Sequence, residues 1–216
     1  MTFKLENAIS IIKSTFLLLC MSVAYSSSSA FAIENARGLK YPVKHSVNDT
    51  IVILWNAEKG RMVLNEDFLK NVTDFQRAAI GYIATQAGND CHWDGPRKED
   101  ESNLKCKLLT ALNLGYMCSS QHLSFLKKWF RQDEKSMEEL QRCSKRAVDD
   151  PISDKFNYIL LISKGETLTI TYEAKGRNLD DLRGWRWIKE TVFQPIGNNG
   201  IKVAKWQNLD FQRYKF

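Results

Sequence analysis

The chain has 216 residues, a length that suits one domain with a substantial buried core. It carries 31 basic and 25 acidic residues, and the resulting net charge of +6 is spread along the chain without forming a basic tract. This charge pattern argues against a nucleic-acid-binding arm and is typical of solvated protein surface. Weak attraction to an acidic partner or to an anionic envelope surface is the alternative.

The N-terminal segment has the layout of a secretory signal peptide. Lys4 and Lys13 precede an apolar run at 16–21, and a small-residue stretch at 26–32 ends in Ala-Phe-Ala. Charged, apolar and small residues in that order are the three regions of such a signal. We therefore expect residues 1–32 to be removed and residues 33–216 to form a single exported domain.

Three alternatives remain for this segment. Cleavage at the small residues 22–24, retention as an uncleaved anchor and lipidation at Cys20 each match part of the pattern. The apolar run is shorter than the ~20 residues that span a bilayer, and Leu19 is larger than the residue that normally precedes a lipidated cysteine. No later stretch is long and apolar enough to span either. We therefore expect a periplasmic or secreted protein without a permanent membrane span.

A strand and a long helix are predicted next. Residues 50–55 are β-branched or apolar and end at a turn at 58–60, which is typical of a strand. Asn65 can cap a helix that ends at Gly88, because apolar residues between them recur at helical spacing and acidic residues occupy the first turn. One face of this helix should therefore belong to the core.

Four cysteines follow the signal segment, and all of them lie within 91–143. In an exported chain an even number predicts two disulfides, although the sequence leaves all three possible pairings open. We expect these disulfides to staple the helical part of the domain, about 65–146, and to hold the base of a loop at 89–102. The four residues are Cys91, Cys106, Cys118 and Cys143.

More helices and then a sheet are predicted from the remaining pattern. Apolar residues at helical spacing predict helices over about 103–114, 119–130 and 134–146. Strands are predicted over 156–163, 167–174, 184–193 and 201–206, and the second of these should have one wet face.

The expected fold class is α+β. An N-terminal strand and a long helix come first, then a disulfide-stapled helical region, then a C-terminal antiparallel sheet of about four strands over about 155–207. A curved sheet wrapped on a long helix, like the cystatin or nuclear-transport-factor cone, is one concrete arrangement with this element order.

The candidate binding residues are tryptophans. In Trp185-Arg186-Trp187 a strand would place both indoles on one face and Arg186 on the other. Trp206 on the neighbouring strand could extend the patch, and Trp93 lies in the loop that follows the first helix. Two indoles side by side can stack on a sugar or a peptide or hold a cation, and they can equally close the core of the sheet.

No catalytic or cofactor motif stands out in the sequence, and we expect neither a cofactor nor a metal. Cys118 and His122 are four residues apart and could share a helix face, so a zinc site built from cysteines and His122 is an alternative. Export into an oxidising compartment removes the thiolates that zinc requires, which favours disulfides. The chain has three histidines, so general-base candidates are few.

These observations favour a non-enzymatic exported domain that binds another envelope or secreted protein. A periplasmic immunity or hydrolase-inhibitor protein is of this kind, and the loop at 89–102 is its candidate contact. The alternative is a secreted hydrolase of cell-wall or polysaccharide material whose catalytic residues are dispersed along the chain. A third, weaker hypothesis is a cone-shaped sheet that binds a small apolar ligand in its mouth.

Overall fold

A six-stranded antiparallel sheet, packed on one face against helices, forms the scaffold of the described residues. The computed structural model describes residues 50–57, 61–87, 91, 104–143, 152–178 and 180–215, with only the backbone at 152–154. All of these residues fall within the unit formed by residues 42–216. The predicted signal peptide and the loop at 89–102, apart from Cys91, lie outside the described residues.

The sheet contains strands from both the beginning and the end of the described residues. Its strands are β1 (Thr50–Asn56), β2 (Met62–Leu64), β3 (Ile152–Lys164), β4 (Thr167–Asn178), β5 (Arg183–Ile196) and β6 (Gly200–Lys215). They lie in the order β2-β1-β3-β4-β5-β6, and each neighbouring pair is antiparallel. The α+β class is confirmed. The expected C-terminal sheet of about four strands is matched in part: β3–β6 supply four strands, but the sheet has six, because Ile51 pairs with Leu161 and β1 thereby joins the C-terminal meander together with β2.

Five helices lie between β2 and β3 in the described residues. They are α1 (Glu66–Lys70), α2 (Asp74–Ala84), α3 (Leu104–Ala111), α4 (Ser120–Phe130) and α5 (Glu134–Cys143). None of these helices is long and apolar enough to cross a membrane.

The single long helix expected after Asn65 is instead two helices, α1 and α2. Asn65 caps α1 as predicted, since its side-chain oxygen accepts from the Phe68 N–H at 3.2 Å. A second cap then interrupts the helix at Thr73. The Thr73 hydroxyl accepts from the Gln76 N–H, and the Gln76 side-chain oxygen accepts from the Thr73 N–H. This reciprocal capping box satisfies N–H groups that the first turn of a helix leaves without partners. It therefore favours the start of a new helix, α2, over the continuation of α1.

Two disulfides staple the helical region to its loops. Cys91 pairs with Cys106 in α3, and Cys118, just before α4, pairs with Cys143 at the end of α5. The Cα atoms of the two pairs are 5.2 and 5.7 Å apart, within the usual range for a disulfide. The structure thus selects one of the three pairings that the sequence left open, and the zinc alternative is wrong because Cys118 is already bonded to Cys143.

An aromatic trio marks the centre of the core between helices and sheet. Tyr82 of α2 stacks on Phe130 of α4 with ring centroids 4.7 Å apart. Both rings meet Phe193 of β5 edge-on, at 6.0 and 6.3 Å. All three side chains are buried, and full burial of such a ring stabilises the fold by roughly 1.5–3 kcal/mol. The trio therefore fixes the two helices on the middle of the sheet.

His122 is a structural residue within this core. Its Nδ1 accepts from the Cys118 N–H, and its Nε2 donates to the Gly81 carbonyl, each at 3.1 Å. Burial lowers the pKa of His122 to about 4, since charging the ring would require water that the core excludes. The imidazole is therefore neutral at physiological pH and ties α4 to α2. With both nitrogens engaged, His122 is neither a metal ligand nor a general base.

Candidate functional site

The far end of the β4–β6 meander presents an aromatic surface on the same side as the helices. Trp187 pairs across the sheet with Ala174 on one side and with Phe211 on the other, while Trp185 pairs with Gly176 and Arg213. Paired residues share a face, so the register gathers these side chains from three strands.

Trp185 is held in place by a glycine on the next strand. A β-carbon at Gly176 would overlap the indole of Trp185, so the ring covers the bare backbone of β4. An aromatic ring lying over a cross-strand glycine shields backbone that would otherwise face water. The sequence of β4 therefore provides the seat that orients Trp185.

These residues line a cleft of about 330 Å³, which we name the aromatic cleft. Its apolar wall consists of Trp185, Trp187 and Phe211, and its charged rim of Arg183 and Arg213. Phe211 is 50% exposed, an unusual position for a large apolar ring. Small sites on proteins typically combine such apolar walls with a few charged groups that select the ligand.

Positive charge lies directly over the rings of this surface. The Lys189 ammonium is 3.7 Å from the ring centroid of Trp187, and the Arg213 guanidinium carbon is 5.2 Å from that of Phe211. No carboxylate of the described residues lies within 4.0 Å of the Arg213 guanidinium. A cation on an aromatic ring remains able to bind an anion from above. The cleft is therefore suited to a ligand with both apolar and acidic groups.

Arg186 does not belong to the aromatic cleft. It lies on the opposite face, where it donates to Asp210 at 2.7 Å and to Glu173 at 3.0 Å. The hydrogen bond to Glu173 is the main reason that the pKa of Arg186 is raised above its usual value. The guanidinium is thus fully engaged in holding β4, β5 and β6 together.

The same contacts show that the expectation of a solvent-exposed face on β4 is wrong at two of its residues. Thr171 and Glu173 are buried rather than solvated. The carboxylate of Glu173 accepts from Arg186 and also from the Asn157 side chain at 2.8 Å. Alternating polar residues on a strand indicate a solvated face only if no side chain of another strand bonds to them there. The sequence of β4 does not show where such side chains will lie.

Trp206 lies in a second, smaller cleft of about 150 Å³ between α2, α5 and the sheet. It is 53% exposed, and the Lys135 ammonium is 5.2 Å from its ring centroid. Trp206 of β6 pairs with Thr191, which lies four residues along β5 from Trp187, the partner of Phe211. The structure therefore brings Trp185 and Trp187 together and leaves Trp206 apart from them.

The polar groups of this second cleft are bonded to one another. The Tyr82 hydroxyl donates to Glu139 at 2.5 Å, and burial together with this bond raises the pKa of the phenol. Ser136 donates to Asp133, which also accepts from the Val203 N–H of β6 at 2.8 Å. These bonds anchor α5 to α2 and to the sheet. A phenol kept protonated in this way is a donor and a poor nucleophile.

The remaining candidates fall partly outside the described residues. Trp93 lies there with most of its loop, so the loop hypothesis stays a prediction. Cys91 is described, and its carbonyl accepts from the Met117 N–H at 2.7 Å, which holds Cys91 against the segment between α3 and α4.

Sequence reasoning missed Phe211 and Arg213. It ended the last strand at 206, whereas β6 continues to Lys215. The run 207–215 is mostly polar, but Phe211 and Arg213 are two residues apart, and this spacing puts them on one face of any strand. That spacing was the available signal.

Comparison with known proteins finds no matching family, curated protein or solved structure. Among the described residues, no group of three or more histidine, cysteine, aspartate or glutamate side chains is placed to hold a metal ion. The fold and the clefts therefore have to be interpreted on their own. Together they define a disulfide-stapled α+β protein with an aromatic, positively charged cleft.

Proposed function

We propose that this protein is an exported, non-enzymatic binding protein, and that its aromatic cleft captures a carboxylate-bearing segment of another envelope or secreted protein. A periplasmic immunity or hydrolase-inhibitor protein is the class that this proposal favours. The single observation that carries it is the half-exposed Phe211 beside Trp185 and Trp187, under the charged rim of Arg183 and Arg213.

The composition of the cleft supports a protein ligand. Aromatic residues and arginine are the side chains that most often dominate the energy of protein interfaces, because they bury large area and bind acids through hydrogen bonds. Arg183 and Arg213 both line the cleft, and Asp181, the one acidic side chain among the described lining residues, is 3.5 Å from Arg183. The remaining positive charge favours an acidic partner and would speed its association.

The edges of the sheet support binding through side chains rather than through strand addition. At one edge β2 has three residues. At the other, the register of β6 skips Ala204 and Leu209, and bulges of this kind twist an edge away from a new strand. Lys202, Lys205 and Lys215 add charge along it. Both edges are thus protected against an added strand, which directs a partner to the face.

Export is supported by two independent features. The N-terminal segment has charged, apolar and small regions in the order of a signal peptide. Two disulfides are compatible with maturation in an oxidising compartment, and they are rare in proteins that stay in the cytosol. We therefore propose that the working form is residues 33–216 in the periplasm or outside the cell.

A peptide titration tests the cleft directly. A fluorescein-labelled peptide alternating glutamate and leucine should bind the 33–216 protein, and one alternating lysine and leucine should not. The variant Arg183→Gln with Arg213→Gln should weaken binding at least fivefold. The matched control, Lys164→Gln with Lys202→Gln, removes the same charge from exposed positions outside the cleft and should bind as the wild type does. Equal loss in both variants would show attraction by net charge alone and would refute the site.

A further inference from the structure

Three aromatic rings on the helix-side face of β5 and β6 each have a cation above them. The three pairs are Phe211 with Arg213, Trp187 with Lys189, and Trp206 with Lys135. An aromatic ring has no net charge, so each pair of ring and cation remains positive. This face therefore offers apolar contact and positive charge together, at three places.

The register of the sheet puts these rings on one side and along one line. Trp187, Lys189 and Thr191 alternate along β5 in unbroken register with β4, so their side chains point to the same side. On β6, Phe211 is the partner of Trp187, and Trp206 is the partner of Thr191. A ligand that lies along this face can therefore contact Phe211 and Trp206 together without crossing the sheet.

Lys189 connects the aromatic cleft with the smaller cleft that holds Trp206. Lys189 lines the smaller cleft, and its ammonium is 3.7 Å from the ring centroid of Trp187, which lines the aromatic cleft. The two clefts thus meet at this side chain and form one groove, which we name the β5–β6 groove. Large exposed rings lie towards its two ends, because Phe211 is 50% exposed and Trp206 is 53% exposed.

The separation of these two rings matches the repeat of an extended polypeptide. Their partners on β5, Trp187 and Thr191, are four residues apart, which corresponds to about 13 Å at about 3.3 Å per residue. An extended ligand has the same rise, so its residues i and i+4 can reach both rings and point to the same side. Its residue i+2 also points that way and faces Lys189, which lies halfway between Trp187 and Thr191.

We propose that the β5–β6 groove binds an extended segment of the partner in which apolar residues at i and i+4 flank an acidic residue at i+2. One apolar side chain packs against Phe211 and the other against Trp206, while the carboxylate between them contacts Lys189. The pattern is symmetric, so both directions of the bound chain satisfy it. This inference rests on the proposed protein-binding function and specifies the sequence pattern of the partner.

Three fluorescein-labelled peptides of identical composition test the spacing, with fluorescence anisotropy as the measurement of their binding to the 33–216 protein. Each peptide has two leucines in a run of glutamates, and the leucines are at i and i+4, at i and i+3, or at i and i+2. The i, i+4 peptide should bind at least fivefold more tightly than the other two, because it alone buries both leucines. Spacing i, i+3 turns one leucine away from the sheet, and spacing i, i+2 reaches only one of the two rings.

Two variants locate the second ring and the central cation. Trp206→Ala should weaken binding of the i, i+4 peptide at least fivefold and leave binding of the i, i+2 peptide unchanged. The matched control, Tyr214→Ala, removes a ring of similar exposure from the opposite face of β6 and should change neither affinity. Lys189→Gln should weaken binding of the i, i+4 peptide at least threefold, whereas Lys205→Gln, on the opposite face, should not.

The outcomes distinguish this inference from the proposed function. Equal binding of the three peptides, each weakened by Arg183→Gln with Arg213→Gln, would overturn the extended groove and leave capture by the aromatic cleft in place. An unchanged preference for the i, i+4 peptide in both folded variants, Trp206→Ala and Lys189→Gln, would do the same. No binding of any of the three peptides at millimolar concentration would overturn both proposals.

Discussion

The indole of Trp185 covers Gly176 so closely that a β-carbon at position 176 would overlap the ring. The two residues are direct partners on β5 and β4. A residue without a side chain and the largest side chain in proteins thus form one packing unit. This unit sets the shape of the aromatic cleft, because Trp185 forms part of its wall.

Gly176→Ala should therefore destabilise the fold and open the cleft. We expect a loss of about 1–3 kcal/mol in the free energy of unfolding, since the added methyl must displace the ring. The same substitution in a Trp185→Ala background should cost little, because the obstacle is gone. Urea unfolding of the four proteins in this double-mutant cycle gives the coupling energy. Equal costs in both backgrounds would show that the two residues do not pack as described.

The Arg186–Glu173 pair makes a second prediction for stability. Arg186→Met leaves the buried Glu173 carboxylate without its guanidinium, and we expect a loss of about 3 kcal/mol. Replacing both residues, Arg186→Met with Glu173→Leu, should restore most of that loss, because no uncompensated charge then remains buried. Chemical denaturation measures both. A double variant less stable than the single one would mean that the ion pair itself is a major source of stability.

The neutral His122 predicts a stability that depends on pH. Its pKa is about 4 in the folded protein and 6.5 for the ordinary side chain, so only the unfolded chain takes up this proton between those values. Stability from this source is complete above pH 6.5 and is lost as the pH falls towards 4. Between pH 7.5 and 5.0 the loss should be about 2 kcal/mol.

Urea unfolding at the two pH values tests this prediction in the wild type and in His122→Gln. The variant retains a donor for the Gly81 carbonyl but does not titrate, so its unfolding free energy should change less by about the amount lost in the wild type. If the variant and the wild type show the same pH dependence, the histidine is not buried in its neutral form.

The disulfides predict both a thiol count and a stability. The denatured, unreduced 33–216 protein should show no reactive thiols, whereas four would contradict oxidation and export. Replacing Cys118 and Cys143 with serine should cost about 3 kcal/mol, because a bridge across 25 residues no longer restricts the unfolded chain. Guanidinium unfolding of the oxidised proteins measures the difference, and no change would show that this bridge is not structural.

The sequence predicts structural features that depend on neighbouring residues better than features that depend on residues far apart in the chain. Caps and helical periodicity are local, so the beginnings of α1 after Asn65 and of α4 after Ser119 could be predicted from a few residues. The capping box at Thr73 is also local, but the continuous apolar spacing across it concealed the break between α1 and α2. The pairing of Ile51 with Leu161 is not local, and no pattern within either strand indicates it.

The candidate site shows the same division. Alternation along β5 predicted that Trp185 and Trp187 share a face and that Arg186 does not. The Gly176 seat and the approach of Phe211 depend on the register of three strands, which the sequence does not encode in any one segment. The burial of Glu173 was missed for the same reason, since its partners come from β3 and β5.

Partner capture by the charge-reversed cleft tests the central claim most directly. Immobilised 33–216 protein, the variant Arg183→Glu with Arg213→Glu, and the control Lys164→Glu with Lys202→Glu would each be incubated with envelope extract from the source cells. We predict that the wild type and the control retain the same acidic protein, identified by mass spectrometry, and that the cleft variant loses it. Retention of that protein by the cleft variant, or its loss from both variants, would contradict the account.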